Sequence, residues 1–282
     1  MVNTDGVCAL DARHLAGCLE LSRSAHWNQN EADWRLMLGI GHGWGVMLAD
    51  GTLAASTLVL PYGSFAWVSM VLVLPSQRRK GHATRLLRRA LEDLRRRGLT
   101  PILDATPAGR AVYVQEGFHD TWGFRRLQLR ALRAAPERPA GVRALRADDW
   151  PGLLELDGRA FGASREPLLR ALAARLPEAA LVFDRGGGVE GYLLGRDGRE
   201  ASQLGPLVAR DSGAARALLA AALAAVGPPL YLDLVDREPG LTAWLESLGF
   251  AFQRPFTRMV HGAADAPGEA ALVFCPAGPE LG

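Results

Sequence analysis

Residues 75–84 read Pro-Ser-Gln-Arg-Arg-Lys-Gly-His-Ala-Thr, between an apolar run, Val68–Leu74, and an amphipathic stretch from Gly81 to about Arg97. A basic, glycine-bearing turn that leaves a strand and opens a helix is suited to holding phosphate. The first backbone N–H groups of a helix have no internal partner, and the helix dipole favours an anion there. Gly81 and Ala83 are small enough for a pyrophosphate to approach the backbone, and Arg78, Arg79 and Lys80 supply charge. Thr84 offers a hydroxyl to the same cradle or is an ordinary first-turn residue, and both readings stand. The arginines that follow, Arg85, Arg88, Arg89 and Arg95–Arg97, read as a solvated helix face.

The elements that must position this loop come twice. Shifting the chain by 132 residues carries Arg78, Gly81 and Ala83 onto Arg210, Gly213 and Ala215, and Pro107, Gly117 and Phe118 onto Pro239, Gly249 and Phe250. In the strand between, Asp104 matches either Asp236 or, with a compensated gap, Asp233. Periodicity predicts helices near 11–24 and 31–39, strands near 44–49, 52–60 and 65–74, and a helix over 81–97. A strand near 100–105, a helix near 109–116 and a strand near 118–130 complete the first half. The second half repeats the plan, with helices near 149–160 and 165–176 and strands near 180–184, 188–195 and 200–208. A helix near 213–225, a strand near 230–235, a helix near 239–248 and a strand near 250–261 follow. The apolar stretch Ala271–Phe274 reads as an edge strand of either half. Each half is thus α+β with a mixed, mostly antiparallel sheet. The proline-bearing run 134–140 reads as a linker between domains at 1–133 and 141–282.

The two loops differ in charge. Where the first carries Arg78-Arg79-Lys80, the second carries Arg210-Asp211-Ser212, which sets a carboxylate where an anion should lie. One unit-charge interaction at several ångströms near a surface is worth roughly a few kcal/mol, enough to abolish useful affinity. The second half therefore reads as structural or substrate-shaping.

Composition bounds the rest. With 32 Lys+Arg against 30 Asp+Glu, the net charge of +2 gives no global field for nucleic acid. An apolar share of 49% with no run near the length of a membrane span predicts a soluble globular protein. Three cysteines in no metal or redox spacing, and a Met1–Gly6 start without a signal pattern, predict a cytoplasmic protein with free thiols. The six histidines show no metal-site spacing, so no metal is expected. The glycine-rich 39–45 run lacks the spacing of a nucleotide loop and reads as a turn.

The pattern Arg78-x-x-Gly81-x-Ala83 after a strand, followed by Tyr113-x-x-x-Gly117-Phe118, resembles the acetyl-CoA loop and following helix of GNAT-type N-acetyltransferases. Over nearly the full chain the arrangement is similar to tandem-domain members in which one domain keeps the cofactor loop. That likeness leans also on Trp27-Asn28-Gln29, on Asp104–Arg110 and on Gly278-Pro279-Glu280-Leu281-Gly282. The resemblance implies two acyl-CoA N-acyltransferase-like domains, with acetyl-CoA held in the first by residues 78–84. His82 then faces solvent or the adenine side. The backbone of Val71, Leu72 and Val73 binds the pantetheine arm as an added strand would. Tyr113 stands near the cofactor sulfur as general acid, or packs in the core.

Asp104, at the end of the strand after the cofactor helix, is a candidate general base for the amine, or only orders the Thr106-Pro107 turn. Trp27, Gln29 and Trp34 fall in the segment that lines the acceptor pocket in this superfamily; they suit a small amine acceptor and core packing equally. The expected function is acetyl-CoA-dependent N-acetylation of a small primary amine by a monomer or homodimer, with neither nucleic acid nor membrane as partner. The alternative is a non-catalytic acyl-CoA sensor or scaffold, which would have no need of a proton donor at Tyr113.

Overall fold

Strand pairing in this chain crosses the boundary between its halves. The computed structural model describes residues 6–137 and 139–282; Met1–Asp5 of the N-terminal pattern and Arg138 of the linker lie outside the described residues. The first half runs β1 (Val7–Ala9), α1 (Leu15–Ser24), α2 (Glu31–Ile40), β2 (His42–Met47), β3 (Leu53–Tyr62), β4 (Phe65–Val73), α3 (His82–Arg97), β5 (Thr100–Ala105), α4 (Pro107–Gln115) and β6 (Phe118–Leu129). The second runs β7 (Val142–Ala144), α5 (Trp150–Phe161), α6 (Glu166–Arg175), β8 (Leu181–Phe183), β9 (Gly191–Arg196), β10 (Ser202–Ala209), α7 (Ser212–Ala225), β11 (Leu230–Val235), α8 (Pro239–Ser247), β12 (Ala251–His261) and β13 (Val273–Cys275). The fold is α+β, as read from the sequence. The short strands β1 and β7 carry too few residues for a periodic signal.

All strands join one 13-stranded sheet in the order β1-β2-β3-β4-β5-β12-β6-β11-β10-β9-β8-β7, with β13 paired to β10. The last long strand of each half thus completes the sheet of the other. Strand β12 lies antiparallel to β5, with Arg258 opposite Asp104, and β6 lies antiparallel to β11, with Arg126 opposite Asp233. The two exchanged strands also pair with each other from Ala251↔Gln128 to His261↔Phe118. This register settles the alignment of the repeat: Asp233, not Asp236, is the counterpart of Asp104.

Helix α3 buries Leu86, Leu87, Ala90 and Leu94, one stripe of a 3.6-residue period, and packs on β3 and β4. Its charged face carries the arginines, several paired along the surface with Glu92, Asp93 and Glu116. Cys8, Cys18 and Cys275 are free and buried, and burial pushes the Cys18 thiol up to about 12. No helix among the described residues is long and apolar enough to cross a membrane.

Because each half lends its last long strand, neither can complete its sheet alone. Residues 1–133 expressed by themselves are expected to aggregate, since β5 and β6 would expose the edges that β12 covers. Co-expression with residues 141–282 should restore a soluble heterodimer, read by size-exclusion chromatography. A monomeric, folded 1–133 fragment would show the exchange to be dispensable.

Candidate active site

The loop after β4 leaves the helix start open. Gly81 takes φ +79° as the residue before α3, and no side chain caps the helix N-terminus. A left-handed φ of that kind favours glycine. Arg78, Arg79 and Lys80 are exposed, and none pairs with a carboxylate among the described residues; Lys80 Nζ donates only to Gln77 Oε1, at 2.9 Å. His82 Nε2 and Arg85 Nε are buried beside this turn without partners. Burial, with Arg85 and Lys80 nearby, holds the His82 pKa below its ordinary value, so the ring stays neutral at pH 7. Unpaired cations, free N–H groups and donors without partners fit a polyphosphate.

Below the loop the sheet opens. Strand β4 pairs in parallel with β5 only from Phe65↔Thr100 to Trp67↔Ile102. Beyond Trp67 the two strands part, and Met70 takes φ +50° where the β3–β4 register shifts. For a non-glycine residue this is a strained bulge. Its carbonyl accepts from Ser56 Oγ at 2.7 Å. The bulge swings Val68–Val71 along a narrow cavity of about 30 Å³ that opens to solvent. Val71 lines the cavity; Leu72 and Val73 lie further along the strand toward the loop.

Tyr113 enters the cavity from α4. Thr106 caps that helix by accepting from Gly109 N–H at 3.3 Å, and Pro107 sits in the first turn, where a missing N–H costs nothing. The helix therefore begins two residues earlier than the sequence reading put it. A Cβ on Gly109 would come within 2.9 Å of Tyr113 Cε2, and the Tyr113 ring lies 6.0 Å from that of Phe118. Ring position is thus set by a close glycine and an aromatic neighbour. The Tyr113 hydroxyl has no hydrogen-bond partner among the described residues, and burial raises its pKa above the ordinary 10, so it carries its proton at neutral pH.

Asp104 also faces the cavity, but in a different state from that expected of a base. Both carboxylate oxygens accept from Arg258, Nε at 2.9 Å and Nη2 at 3.0 Å, and the Asp104 side chain is fully buried. Burial raises its pKa while Arg258 opposes the rise. Its counterpart Asp233 is held the same way by Arg126, at 2.8 and 2.7 Å. Two equivalent pairs at two equivalent strand seams mark Asp104 as a seam residue, which changes the role read from its position.

Trp27 and Gln29 line the cavity, whereas Trp34 does not: it is wholly buried in the main core and donates from Nε1 to Ser22 Oγ at 3.0 Å. The expectation that Trp34 binds acceptor is corrected, because its position on α2 turns it inward. The Trp27–Gln29 segment is fastened by the second half. Asn28 Oδ1 accepts from Glu200 and Ala201 N–H at 2.9 and 3.1 Å, and Arg175 donates to Asp33 at 2.6 Å.

Ser69, Arg126, Arg254 and Glu280 line the same cavity and were not singled out in the sequence. Glu280 lay in a quoted motif, yet nothing in its spacing pointed to a site some two hundred residues upstream. Three buried oxygens of the lining have no partner: Gln29 Oε1, Ser69 Oγ and Glu280 Oε2. Buried oxygens of this kind are normally satisfied. All three residues line this one cavity.

The second half lacks both features. Asp211 caps α7 with its own carboxylate, which accepts from Ala214 N–H at 2.8 Å. Strand β10 pairs with β11 only from Ser202↔Leu230 to Leu204↔Leu232, and past that point β13 pairs with it at Leu207↔Cys275 and Val208↔Val273. The Ala271–Phe274 stretch, expected at an edge, instead fills the slot equivalent to the open one beside β4.

An Acetyltransferase (GNAT) family model matches residues 12–118, and an Acetyltransferase (GNAT) domain model matches residues 153–275. The uncharacterized N-acetyltransferase YitH of Bacillus subtilis is 24% identical over 249 residues, covering 87% of this chain and 88% of that protein. Among solved structures, an acetyltransferase candidate from Pyrococcus horikoshii superposes with a TM-score of 0.81 at 20% identity, covering 100% of this chain and 98% of the other. A tandem GNAT protein from the clavulanic acid biosynthesis pathway gives a TM-score of 0.64 at 18% identity, covering 92% and 100%.

Proposed function

Because the chain belongs to the GNAT acetyltransferases, as a tandem-domain N-acetyltransferase, we propose that it moves acetyl from acetyl-CoA to a primary amine of a small acceptor, in the first half only. The observation that carries this reading is the single cavity in which the β4 bulge, the Tyr113 hydroxyl and three unpartnered oxygens converge. The open start of α3 with Arg78, Arg79 and Lys80 suits the pyrophosphate of acetyl-CoA. The unpaired edge of β4 from Val71 to Val73 suits its pantetheine arm.

The acceptor amine reacts in its neutral form. Its nitrogen lone pair forms a bond to the thioester carbonyl carbon, and the C–S bond then breaks. Tyr113 gives its hydroxyl proton to the departing sulfur, and the proton shed by nitrogen restores the phenol. A phenol with its pKa raised by burial holds that proton until it is needed. Asp104 takes a positioning role: it fixes Arg258 between Trp67 and Trp122, whose rings lie 4.4 and 4.2 Å from the guanidinium carbon.

Calorimetric titration is expected to give one acetyl-CoA per chain, because Asp211 and β13 occupy the second slot. An amine panel should then release free thiol from acetyl-CoA. Two bound equivalents would refute the assignment to one half, and tight binding without thiol release from any amine would turn the reading to a sensor.

A further inference from the structure

The second half contributes Arg254, Phe256, Pro279 and Glu280 to the cavity, and the charges around it do not balance pairwise. Glu280 is 2% exposed. One of its oxygens bonds Arg196 Nη2, while Oε2 is buried without a partner, and the residue lines the cavity. The segment that carries it is pinned on all sides. Trp67 Nε1 donates to Pro279 O at 3.0 Å, Tyr62 to Leu281 O at 3.1 Å, and Arg196 Nη1 to Ala277 O at 2.7 Å. A buried, unpartnered carboxylate oxygen on a firmly held residue that lines a cavity is a receptor for an N–H group, most strongly a charged one.

The same cavity is lined by a guanidinium with the opposite need. Arg258 pairs with Asp104, Arg126 with Asp233, and Arg196 with Glu280 and Asp33. Arg254, half-buried on β12, has no carboxylate partner among the described residues; its Nε donates only to the neutral Gln253 at 3.2 Å. Burial and the neighbouring Arg126 hold its pKa below the ordinary value, against the opposing pull of Asp233 and Glu200.

We propose that Glu280 Oε2 and Arg254 receive the two ends of one ligand, so that the acceptor is a small amino acid-like molecule, a primary amine that also carries a carboxylate or phosphonate. This rests on the transferase reading above and names its substrate class. Gln29 Oε1 and Ser69 Oγ lie on the same lining and take the remaining N–H bonds of the ammonium before it gives up a proton. Trp27 and Phe256 supply apolar walls.

The experiment compares matched acceptors in the thiol-release assay on the full chain: phenylalanine against phenethylamine, and 2-aminoethylphosphonate against ethylamine. The acid-bearing member of at least one pair is expected to show a kcat/KM about tenfold or more above its plain counterpart, the effect of one charge-assisted hydrogen bond. Arg254→Met should collapse that gap chiefly through KM. Glu280→Gln, which keeps an oxygen for Arg196, should raise KM for every amine while preserving the acid preference; thermal unfolding checks that each variant is folded. Calorimetry of the same acids with the CoA-bound protein gives a second readout, in which Arg254→Met should weaken binding by about tenfold. Equal kcat/KM within both pairs, a gap that survives Arg254→Met, or no binding of either acid at millimolar concentration each overturns the proposal. Binding that depends on Arg254 without thiol release would leave the acceptor site standing and refute the transferase reading instead.

Discussion

Tyr113→Phe is expected to lower kcat by about two orders of magnitude or more, the usual contribution of a positioned general acid, and to leave the Kd for acetyl-CoA unchanged. The substitution removes one oxygen and little else. The hydroxyl makes no hydrogen bond to described residues, and the ring contacts with Gly109 and Phe118 do not involve it. The fold should therefore be unaffected, which thermal unfolding can verify. Since burial raises the phenol above its ordinary value of 10, the acid is fully protonated through neutral and mildly alkaline pH. The wild-type rate should thus climb with pH as the acceptor amine loses its proton, with no fall from Tyr113 ionisation below pH 10. A kcat for the phenylalanine variant within threefold of wild type would remove Tyr113 from the mechanism.

Arg258→Ala should destabilise the chain by about 3–5 kcal/mol, because it strands the fully buried Asp104 carboxylate without the cation that pairs with it. For a chain of this size that is roughly a 10 °C fall in Tm. The loss would come from the seam between β5 and the exchanged strand β12, so both halves should unfold together in one transition. The double variant Asp104→Asn, Arg258→Gln replaces the ion pair by two amides and should recover much of the loss. It also separates two roles for Asp104. As a seam residue it can be lost in the double variant with kcat kept within about tenfold; a larger fall, in the range of a missing general base, would return the base role to Asp104. Unchanged thermal stability of Arg258→Ala would contradict the account of the seam.

Short-range signals made much of this protein legible. The 75–84 loop stands out in the sequence because its features are local: a left-handed Gly81 and three cations with no carboxylate partner among the described residues lie within a few residues of one helix start. The failing of the second loop was equally local, since Asp211 reaches only its own helix, at Ala214. Helices and strands followed from periods of 3.6 and 2, which depend on neighbours in sequence. Trp34 was misplaced for a related reason. An indole beside Trp27 and Gln29 in sequence turns the other way on α2, and composition does not report which face is inward.

The sequence by itself determined the elements, their duplication and which loop carries the basic turn before a helix. Only the tertiary structure decided that β6 and β12 change places, that β13 fills the second slot, and that Glu280 and Arg254 face the site of the first half. A strand's alternation says which face is buried but not which strand lies beside it, because backbone hydrogen bonds are alike for every partner. That choice rests on cross-strand matches such as Asp104 with Arg258 and Asp233 with Arg126, made between residues more than a hundred positions apart.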